Sequence, residues 1–358
     1  MKKLKGIFSQ PPYKMTTNSM GGLVNMGMTC YANAVFQAVR HCSKIPWIFE
    51  EGRYNTLFRK DTTPKREAQQ TLTATFANVI QLLQKCKKGQ VVRPADFWVK
   101  LGPCVQDTIF EQLQMRMCHD AHEFYICLLD IIHEALAQET DMRILRPAPT
   151  TEAERHCIKA LETWRTQFTK QYSPLVDLFY GLQHIVVKCK GCGNCSHRWE
   201  TFTSLKATAP QVGDAVSITD MLKDEYKPET ISDYDCEKCR PARQEAEQTT
   251  YIWRMPYYLT FVVKRFTHTG GRINTPVAAV NQPISFEAFF SEESPEKAGK
   301  NTYRLHSIVD HHGSAGGGHY TAQCRKDSDW HLYDDNSVHD LKGPMFGSST
   351  YMLWFERT

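Results

Sequence analysis

The sequence predicts an α+β protein, because helical periodicity dominates its first part and β-rich segments dominate its second. Apolar residues recur at helical spacing from Gly21 to about Leu136, whereas β-branched and aromatic segments follow from Val176 onward. Helices first and strands later are typical of α+β architectures. With 358 residues, 41% of them apolar, the chain is long enough for one large domain or two ordinary ones.

Three helices are expected in the first part of the chain. The first covers residues 29–40 and the third covers 121–137. The second carries five apolar residues at helical spacing: Leu72, Phe76, Val79, Ile80 and Leu83. Residues 138–172, which contain two prolines and many charges, are interpreted as an insertion around a short helix at 153–168.

Seven segments in the second part have the composition of strands. They cover residues 184–187, 249–253, 258–263, 302–309, 320–324, 330–333 and 351–355. At the other end of the chain, residues 1–20 are basic and polar and include Pro11-Pro12. We expect them to form a flexible N-terminal arm.

The composition argues against several function classes. The net charge of +4 is not concentrated into a basic stripe, so no nucleic-acid partner is expected. No apolar run approaches the ~20 residues that span a bilayer, and the N-terminus lacks the ~7–15-residue apolar core of a signal peptide. The 13 cysteines include two Cys-x-x-Cys pairs, which indicate metal binding rather than disulfides. We therefore expect a reducing compartment, the cytoplasm or the nucleus, and no membrane partner.

Cys30 is the candidate nucleophile. It opens the first predicted helix, where unpaired N–H groups and the helix dipole lower the pKa of a thiol. Asn25, five residues earlier, is a candidate donor to a developing oxyanion. Gly27 lets the backbone turn tightly into the helix.

His319 is the candidate base, although it lies far from Cys30 in the sequence. A cysteine and a histidine so widely separated are typical of cysteine hydrolases. A hairpin through residues 320–333 would bring Asp334 against the His319 ring and fix its tautomer. The glycines at 316–318 would let a thin substrate peptide pass beside the histidine.

Two Cys-x-x-Cys pairs predict a zinc site. Cys189 with Cys192, and Cys236 with Cys239, would place four thiolates around one tetrahedral Zn²⁺ with no open position for chemistry. Cys195 leaves the ligand set ambiguous, because it is also spaced by two from Cys192. The same pairs occur in zinc-ribbon nucleic-acid binders, an alternative that the missing basic stripe disfavours.

Several motifs together resemble those of the ubiquitin-specific protease family. Residues 22–33 are similar to the family's cysteine box. Segments 119–124 and 259–266 resemble two further family motifs, and residues 303–335 contain the elements of its histidine box. These motifs occur in the family's order, and the resemblance spans roughly residues 21–357.

The resemblance implies a papain-like cysteine protease fold in one catalytic domain, residues 21–358. It consists of a helical thumb at about 21–175, zinc-bearing β fingers at about 183–262 and a β-sheet palm at 263–358. The family's roles carry over to Cys30 as nucleophile, His319 as general base and acid, Asp334 as its orienting partner and Asn25 as oxyanion donor, with Asp335 assisting. Asp120 would contact the ubiquitin tail in a slot formed by Gly317, Gly318 and Tyr320.

The function implied is a thiol isopeptidase that cleaves ubiquitin from substrate lysines. The expected partners are ubiquitin or polyubiquitin and ubiquitinated proteins, and the enzyme is expected to be a monomer. His119 replaces a glutamine of the family motif, which affects the expected tail contacts. Two alternatives remain: a protease for another ubiquitin-like modifier, and a catalytically weak ubiquitin-binding scaffold.

Overall fold

The computed structural model describes residues 19–60, 63–113, 117–145, 148–280, 282–299, 301–314 and 316–358. Its helices are α1 (Cys30–Arg40), α2 (Lys44–Phe49), α3 (Pro64–Lys85), α4 (Ala95–Val105), α5 (Ala121–Leu136), α6 (Glu152–Phe168), α7 (Pro174–Phe179) and α8 (Ile218–Glu225). The expected arm at 1–20 lies outside the described residues except for Ser19 and Met20, which are both buried.

The strands fall into a two-stranded, a four-stranded and an eight-stranded sheet. The first strands are β1 (Gly22–Leu23), β2 (Val91–Val92), β3 (Gly181–Cys189), β4 (Cys195–Phe202), β5 (Ser204–Thr208), β6 (Glu229–Tyr234) and β7 (Gln244–Arg254). The remaining strands are β8 (Tyr258–Lys264), β9 (Ile284–Ser285), β10 (Thr302–Ser314), β11 (Gly317–Lys326), β12 (Asp329–Asp334), β13 (Ser337–Leu341) and β14 (Thr350–Arg357).

Helix α1 lies at the centre of the helical part of the molecule. All of its residues are buried, as expected for a helix covered on every side. It packs against α5 on one side and against β11 of the large sheet on the other. This arrangement fixes the first turn of α1 beside the sheet that carries the histidine motif.

The large sheet has the order β13-β12-β11-β10-β14-β8-β5, and β9 pairs with β10. All of its pairs are antiparallel except β5 with β8. β14 is the last strand in the sequence but pairs with β10 and β8 in the middle of the sheet. Apolar clusters cover both faces of the sheet, which explains the nearly continuous apolar run of β8.

The small sheet has the order β4-β3-β7-β6, and all its pairs are antiparallel. Helix α6 of the insertion packs against β4. β5 and β8 lie in the large sheet, although the fingers were expected to extend over about 183–262. The expected boundary differs because the chain passes from the small sheet to the large sheet at β5, back at β6 and again to the large sheet at β8. Local composition does not reveal these crossings.

The predicted α+β class is confirmed. Helices occur at each of the four expected places, including α6 within the insertion. The sequence did not predict the short helices α2, α4, α7 and α8, nor the largely polar strands β4 and β6. Within the described ranges, no helix combines the length and apolar character needed to cross a membrane.

Candidate active site

A tight turn positions Cys30 at the start of α1. The Asn25 side-chain oxygen accepts hydrogen bonds from the backbone amides of Gly27 (3.1 Å) and Thr29 (3.0 Å). Gly27 has a φ of 142°, a conformation that favours glycine. Thr29 occupies the N-cap position without a side-chain capping bond, and Cys30 lies in the first turn, where backbone amides have no partner within the helix.

The Cys30 thiol is buried, with only 4% of the residue exposed. Burial raises the pKa of the Cys30 thiol, and the backbone amides of Tyr320 and Tyr31 oppose that effect by hydrogen bonding. The net direction is upward, whereas the helix N-terminus alone predicts a decrease. A thiol with a raised pKa needs a base to become a nucleophile.

His319 and Asp334 form a hydrogen-bonded pair. The β11–β12 hairpin, in which Ala322 lies opposite Tyr333, brings them together as expected from the sequence. His319 Nε2 lies 2.6 Å from Asp334 Oδ1, and both side chains are partly exposed. This contact leaves Nδ1 as the ring nitrogen available for proton transfer.

The thiol and the histidine lie on the same side of the molecule. The backbone of Tyr320, which follows His319 in the chain, lies close enough to the Cys30 thiol to lower its pKa. Packing of α1 against β11 holds the two segments in this position. The structure therefore brings the expected nucleophile and base together from opposite ends of the sequence.

Asp335 connects the two halves of the site. Its carboxylate accepts hydrogen bonds from Asn25 Nδ2 (2.9 Å) and Asn33 Nδ2 (2.7 Å). Its backbone oxygen accepts another from the Leu23 amide at 2.8 Å. Asp335 adopts a φ of 47°, so the turn after β12 is bent to make these contacts. From the sequence, Asp335 was expected only to assist, and no role was expected for Asn33.

Asp120 is the N-cap of α5. One carboxylate oxygen accepts hydrogen bonds from the amides of His122 (2.8 Å) and Glu123 (3.0 Å). The other oxygen accepts a 2.5 Å hydrogen bond from the Tyr351 hydroxyl. Asp120 therefore stabilises the start of α5, a role that was not expected from the sequence. Its contact with a substrate tail stays a prediction.

The two glycines expected in the substrate slot have different surroundings. A Cβ on Gly318 would lie 2.3 Å from the His312 carbonyl oxygen and 2.6 Å from His311 Nε2. The backbone that approaches Gly318 is therefore that of the neighbouring strand β10. A Cβ on Gly317 would meet no atom within 4 Å, so only Gly317 faces open space. The Tyr320 side chain is buried, and its backbone faces the thiol.

Four cysteines meet at the tip of the small sheet. The sulfur atoms of Cys189, Cys192, Cys236 and Cys239 all lie within 4.8 Å of one another. Two of the separations are 3.9 Å (Cys189–Cys239) and 3.6 Å (Cys192–Cys236). A tetrahedral zinc ion with Zn–S bonds of ~2.3 Å requires sulfurs ~3.8 Å apart, so this cluster can hold a metal. Cys195 lies outside the cluster, which removes the ambiguity left by its spacing.

The comparison with protein families assigns the chain. The family model described as ubiquitin carboxyl-terminal hydrolase matches residues 21–355. The chain belongs to this family. The resemblance drawn from the sequence motifs is thereby confirmed.

Curated relatives from the ubiquitin carboxyl-terminal hydrolases match most of the chain. It is 28% identical to ubiquitin carboxyl-terminal hydrolase 2 of Bos taurus, covering 97% of this chain and 57% of the relative. It is also 28% identical to ubiquitin carboxyl-terminal hydrolase 21 of Homo sapiens, covering 94% of this chain and 61% of the relative. The chain thus spans less than two thirds of the length of these relatives.

Two solved structures of this family share the fold. They are the SAGA DUB module that contains Ubp8, bound in one case to monoubiquitin and in the other to ubiquitin aldehyde. Each has a TM-score of 0.69 and 18% sequence identity, and covers 98% of this chain and 72% of the solved chain. This likeness confirms the predicted architecture of the fold.

Proposed function

We propose that this chain is a cysteine-type deubiquitinating isopeptidase, which hydrolyses the bond between the C-terminal glycine of ubiquitin and a substrate lysine. The observation that carries the proposal is that Asn25 and Asn33, which flank Cys30, both donate hydrogen bonds to Asp335. Asp335 directly follows the aspartate of the His319–Asp334 pair. Family membership supports the reaction class, and the solved relatives bound to monoubiquitin or ubiquitin aldehyde support ubiquitin as the modifier.

The reaction begins with proton transfer from the thiol to the imidazole. Because burial raises the pKa of Cys30, the thiol keeps its proton until His319 Nδ1 accepts it. Asp334 holds the ring through Nε2 and stabilises the resulting imidazolium. The Cys30 thiolate then attacks the carbonyl carbon of the terminal glycine.

Asn25 stabilises the oxyanion that this attack creates. One hydrogen of its side-chain amide is bound to Asp335, and the other is left for the oxyanion together with the Cys30 backbone amide. When the tetrahedral intermediate collapses, His319 protonates the departing lysine amine and a thioester remains. His319 then removes a proton from water, which hydrolyses the thioester and restores the thiol.

Substrate selection is proposed to depend on the residues beside the path that leads to the Cys30 thiol. The open face of Gly317 gives space for a peptide without side chains, such as the Gly-Gly end of ubiquitin. Asp120 would pair with an arginine of the tail, a charge-assisted contact. Ubiquitin-like modifiers with the same tail chemistry are the alternative substrates, and a ubiquitin-binding scaffold without turnover is the alternative function.

The four-cysteine cluster is proposed to hold one structural Zn²⁺. Bound zinc would tie the β3–β4 turn to the β6–β7 connection and would supply no catalytic chemistry, because thiolates fill all four positions. No disulfide joins any two of the thirteen cysteines, all of which lie in the described ranges, and this supports our proposal of a reducing compartment, the cytoplasm or nucleus. We also propose that the enzyme acts as a monomer, with ubiquitin and its conjugates as partners.

An electrophilic ubiquitin probe tests the proposal. Ubiquitin with a thiol-reactive alkene in place of its C-terminal carboxylate should form one covalent adduct with the wild-type protein, mapped to Cys30 by mass spectrometry. Cys30→Ala should abolish the adduct. Cys118→Ala is the matched control, because Cys118 is a second cysteine near Cys30. This variant should still form the adduct.

The outcomes separate the candidate functions. Reversible binding of the probe without an adduct would leave a scaffold and overturn the proposed enzyme. An adduct with a probe built from another ubiquitin-like modifier, and none with ubiquitin, would keep the chemistry and change the substrate.

A further inference from the structure

A group of metal-ligating side chains lies between the insertion helix α6 and the small sheet, away from both sites described above. One ring nitrogen each of His156 and His197 and one carboxylate oxygen of Glu293 lie within 4.8 Å of one another. His156 belongs to α6, His197 to β4, and Glu293 to a turn that follows β9. Three separate segments of the chain thus converge on one point.

The three side chains are in direct contact. His156 Nδ1 lies 2.6 Å from Glu293 Oε2, and the rings of His156 and His197 face each other with centroids 4.0 Å apart. His156 is only 4% exposed, whereas His197 and Glu293 are half-buried. The group is therefore shielded on the side of His156 and open to solvent on the other side.

His197 is held by a second layer of hydrogen bonds. Its Nδ1 lies 3.0 Å from His184 Nε2, and His184 Nδ1 lies 3.1 Å from the Ser291 hydroxyl. The His184 ring stacks on Trp199 and is 2% exposed. A metal-ligating histidine usually donates a hydrogen bond from its second ring nitrogen to an acceptor, which fixes the orientation of the ring. His184 Nε2 can be that acceptor when the His184 proton is on Nδ1. Here Nε2 of His197 is the nitrogen left for an ion.

The turn that carries Glu293 is anchored on both sides to β7. The Ser291 amide donates to the Ile252 carbonyl at 2.9 Å, and the Ser294 hydroxyl donates to the Trp253 carbonyl at 2.6 Å. The backbone of the carboxylate ligand is thus held by β7, and the Cys157 thiol of α6 adds a contact to the Glu293 carbonyl oxygen at 3.9 Å. The carboxylate itself can still move, because its side chain is one-third exposed.

The donor set is suited to zinc. Two neutral imidazoles and one carboxylate form a known zinc-ligand set, with the fourth position open to water or to another side chain. Bonds of ~2.0–2.1 Å place tetrahedral ligands ~3.4 Å apart, so an ion would replace the proton shared by His156 and Glu293 and widen that contact by ~0.8 Å.

We propose that His156, His197 and Glu293 form a second binding site for a divalent transition-metal ion of the zinc type, which fastens the insertion helix α6 to the small sheet. The site is separate from the four-cysteine cluster. The ligand His197 lies opposite Val186, three residues from Cys189 on β3, which corresponds to ~10 Å along a strand. The proposal does not depend on the proposed enzymatic function.

Metal stoichiometry of the full chain tests this proposal. The purified protein is saturated with Zn²⁺, freed of unbound metal by gel filtration and examined by elemental analysis. Two zinc ions per chain are expected, one in each site. His197→Gln and Glu293→Gln should each lose one ion, while His339→Gln, which changes an exposed histidine outside the cluster, should keep both.

Folding is checked by circular dichroism, and Glu293→Gln serves as the isosteric variant at a half-buried position. The number of zinc ions bound per wild-type chain is itself a test of the second site. A single zinc ion in the wild type, lost in Cys236→Ser, would overturn the proposal. Two ions that persist in both folded variants of the second site would overturn it as well.

Discussion

Asn25 donates a hydrogen bond to Asp335 across 310 positions of the sequence, with 2.9 Å between Nδ2 and Oδ2. The same carboxylate accepts a second hydrogen bond from Asn33, on the first turn of α1. Asp335 thus orients the amide that is proposed to bind the oxyanion and joins the β12–β13 turn to the nucleophile helix. It acts on Asn25 as a positioning residue, and its carboxylate also lies within 4.8 Å of a His319 ring nitrogen and of the Asp334 carboxylate.

We expect Asp335→Ala to lower kcat by about 10²- to 10³-fold with little change in KM, because Asn25 would lose its orientation. Steady-state hydrolysis of a ubiquitin-lysine isopeptide substrate measures both constants. Asp327→Ala is the matched control, since Asp327 also has a positive φ at the other end of the β12 strand but makes no contact with Asn25. An equal loss of kcat in both variants would contradict the positioning role.

The two slot glycines should respond differently to alanine. In Gly318→Ala the new methyl group would collide with the His312 carbonyl, so we expect ~1–3 kcal/mol of destabilisation and a displaced His319. Gly317→Ala should unfold at the wild-type temperature but lose kcat/KM, because its methyl group would enter the open slot. Thermal unfolding and kinetics together check the pair. Wild-type activity in Gly317→Ala would exclude the slot.

Asp120 combines helix capping with the proposed tail contact, and two substitutions separate these roles. Asp120→Asn should keep the cap, because asparagine is an equally good N-cap, but should raise KM by about 10- to 100-fold. That range corresponds to the ~1.5–3 kcal/mol of a hydrogen bond to a charged group. Asp120→Ala should additionally lose ~0.5–2 kcal/mol of stability. An unchanged KM in Asp120→Asn would place the tail arginine elsewhere.

The zinc proposal for the cysteine cluster can be tested against Cys195, a nearby cysteine that lies outside the cluster. Cys236→Ser should lower the zinc content by one ion per chain and reduce the melting temperature, since bound metal contributes to folding. Each kcal/mol lost should lower the melting temperature by about 2–4 °C. Cys195→Ser should change neither quantity, because Cys195 lies outside the cluster. Metal loss in Cys195→Ser would redefine the ligand set.

Buried histidines should make the protein sensitive to acid. Burial lowers the pKa of His306 to about 3 and that of His133 to about 4, whereas both are near 6.5 in the unfolded chain. Below pH ~6.5 the unfolded state therefore binds more protons than the folded state. Stability is complete above that pH and is lost as the pH falls toward ~4, by up to ~1.4 kcal/mol per pH unit and histidine.

Urea unfolding at pH 7, 6 and 5 measures this dependence. His306→Gln should reduce the slope of the unfolding free energy against pH by about one proton, whereas the exposed His339→Gln should not. If the slope of His306→Gln equals that of the wild type, His306 is not the group that titrates.

Local sequence patterns indicated individual candidate residues of the site better than they indicated the contacts between distant segments. The cysteine and histidine motifs indicated Cys30 and His319 as candidates, and the hairpin expected after His319 does bring Asp334 into contact with it. The bonds of Asp335 were not predictable, because they join distant segments through a left-handed backbone turn. The capping role of Asp120 had a signal, since Glu123 follows it by three residues as in many helix N-termini.

Other outcomes depended on tertiary structure alone. Cys192 is separated by two residues from both Cys189 and Cys195, so spacing does not show which of them shares its site. In the folded chain, Cys189 lies in the cluster and Cys195 does not. The glycine-rich segment suggested a substrate slot, but Gly318 is constrained by its own neighbouring strand. In both cases the sequence indicated the chemistry, and pairing between strands determined which residue takes part.

The central place of β14 has a consequence for synthesis on the ribosome. Seven strands of the large sheet are made before it, yet β10 and β8 have no partner between them until residues 350–357 emerge. Until then, β5 and β8 cannot join the strands that carry the histidine motif in one sheet. Nascent chains should stay inert toward ubiquitin conjugates, and even a short truncation that removes this strand should abolish hydrolysis while leaving every reacting group present.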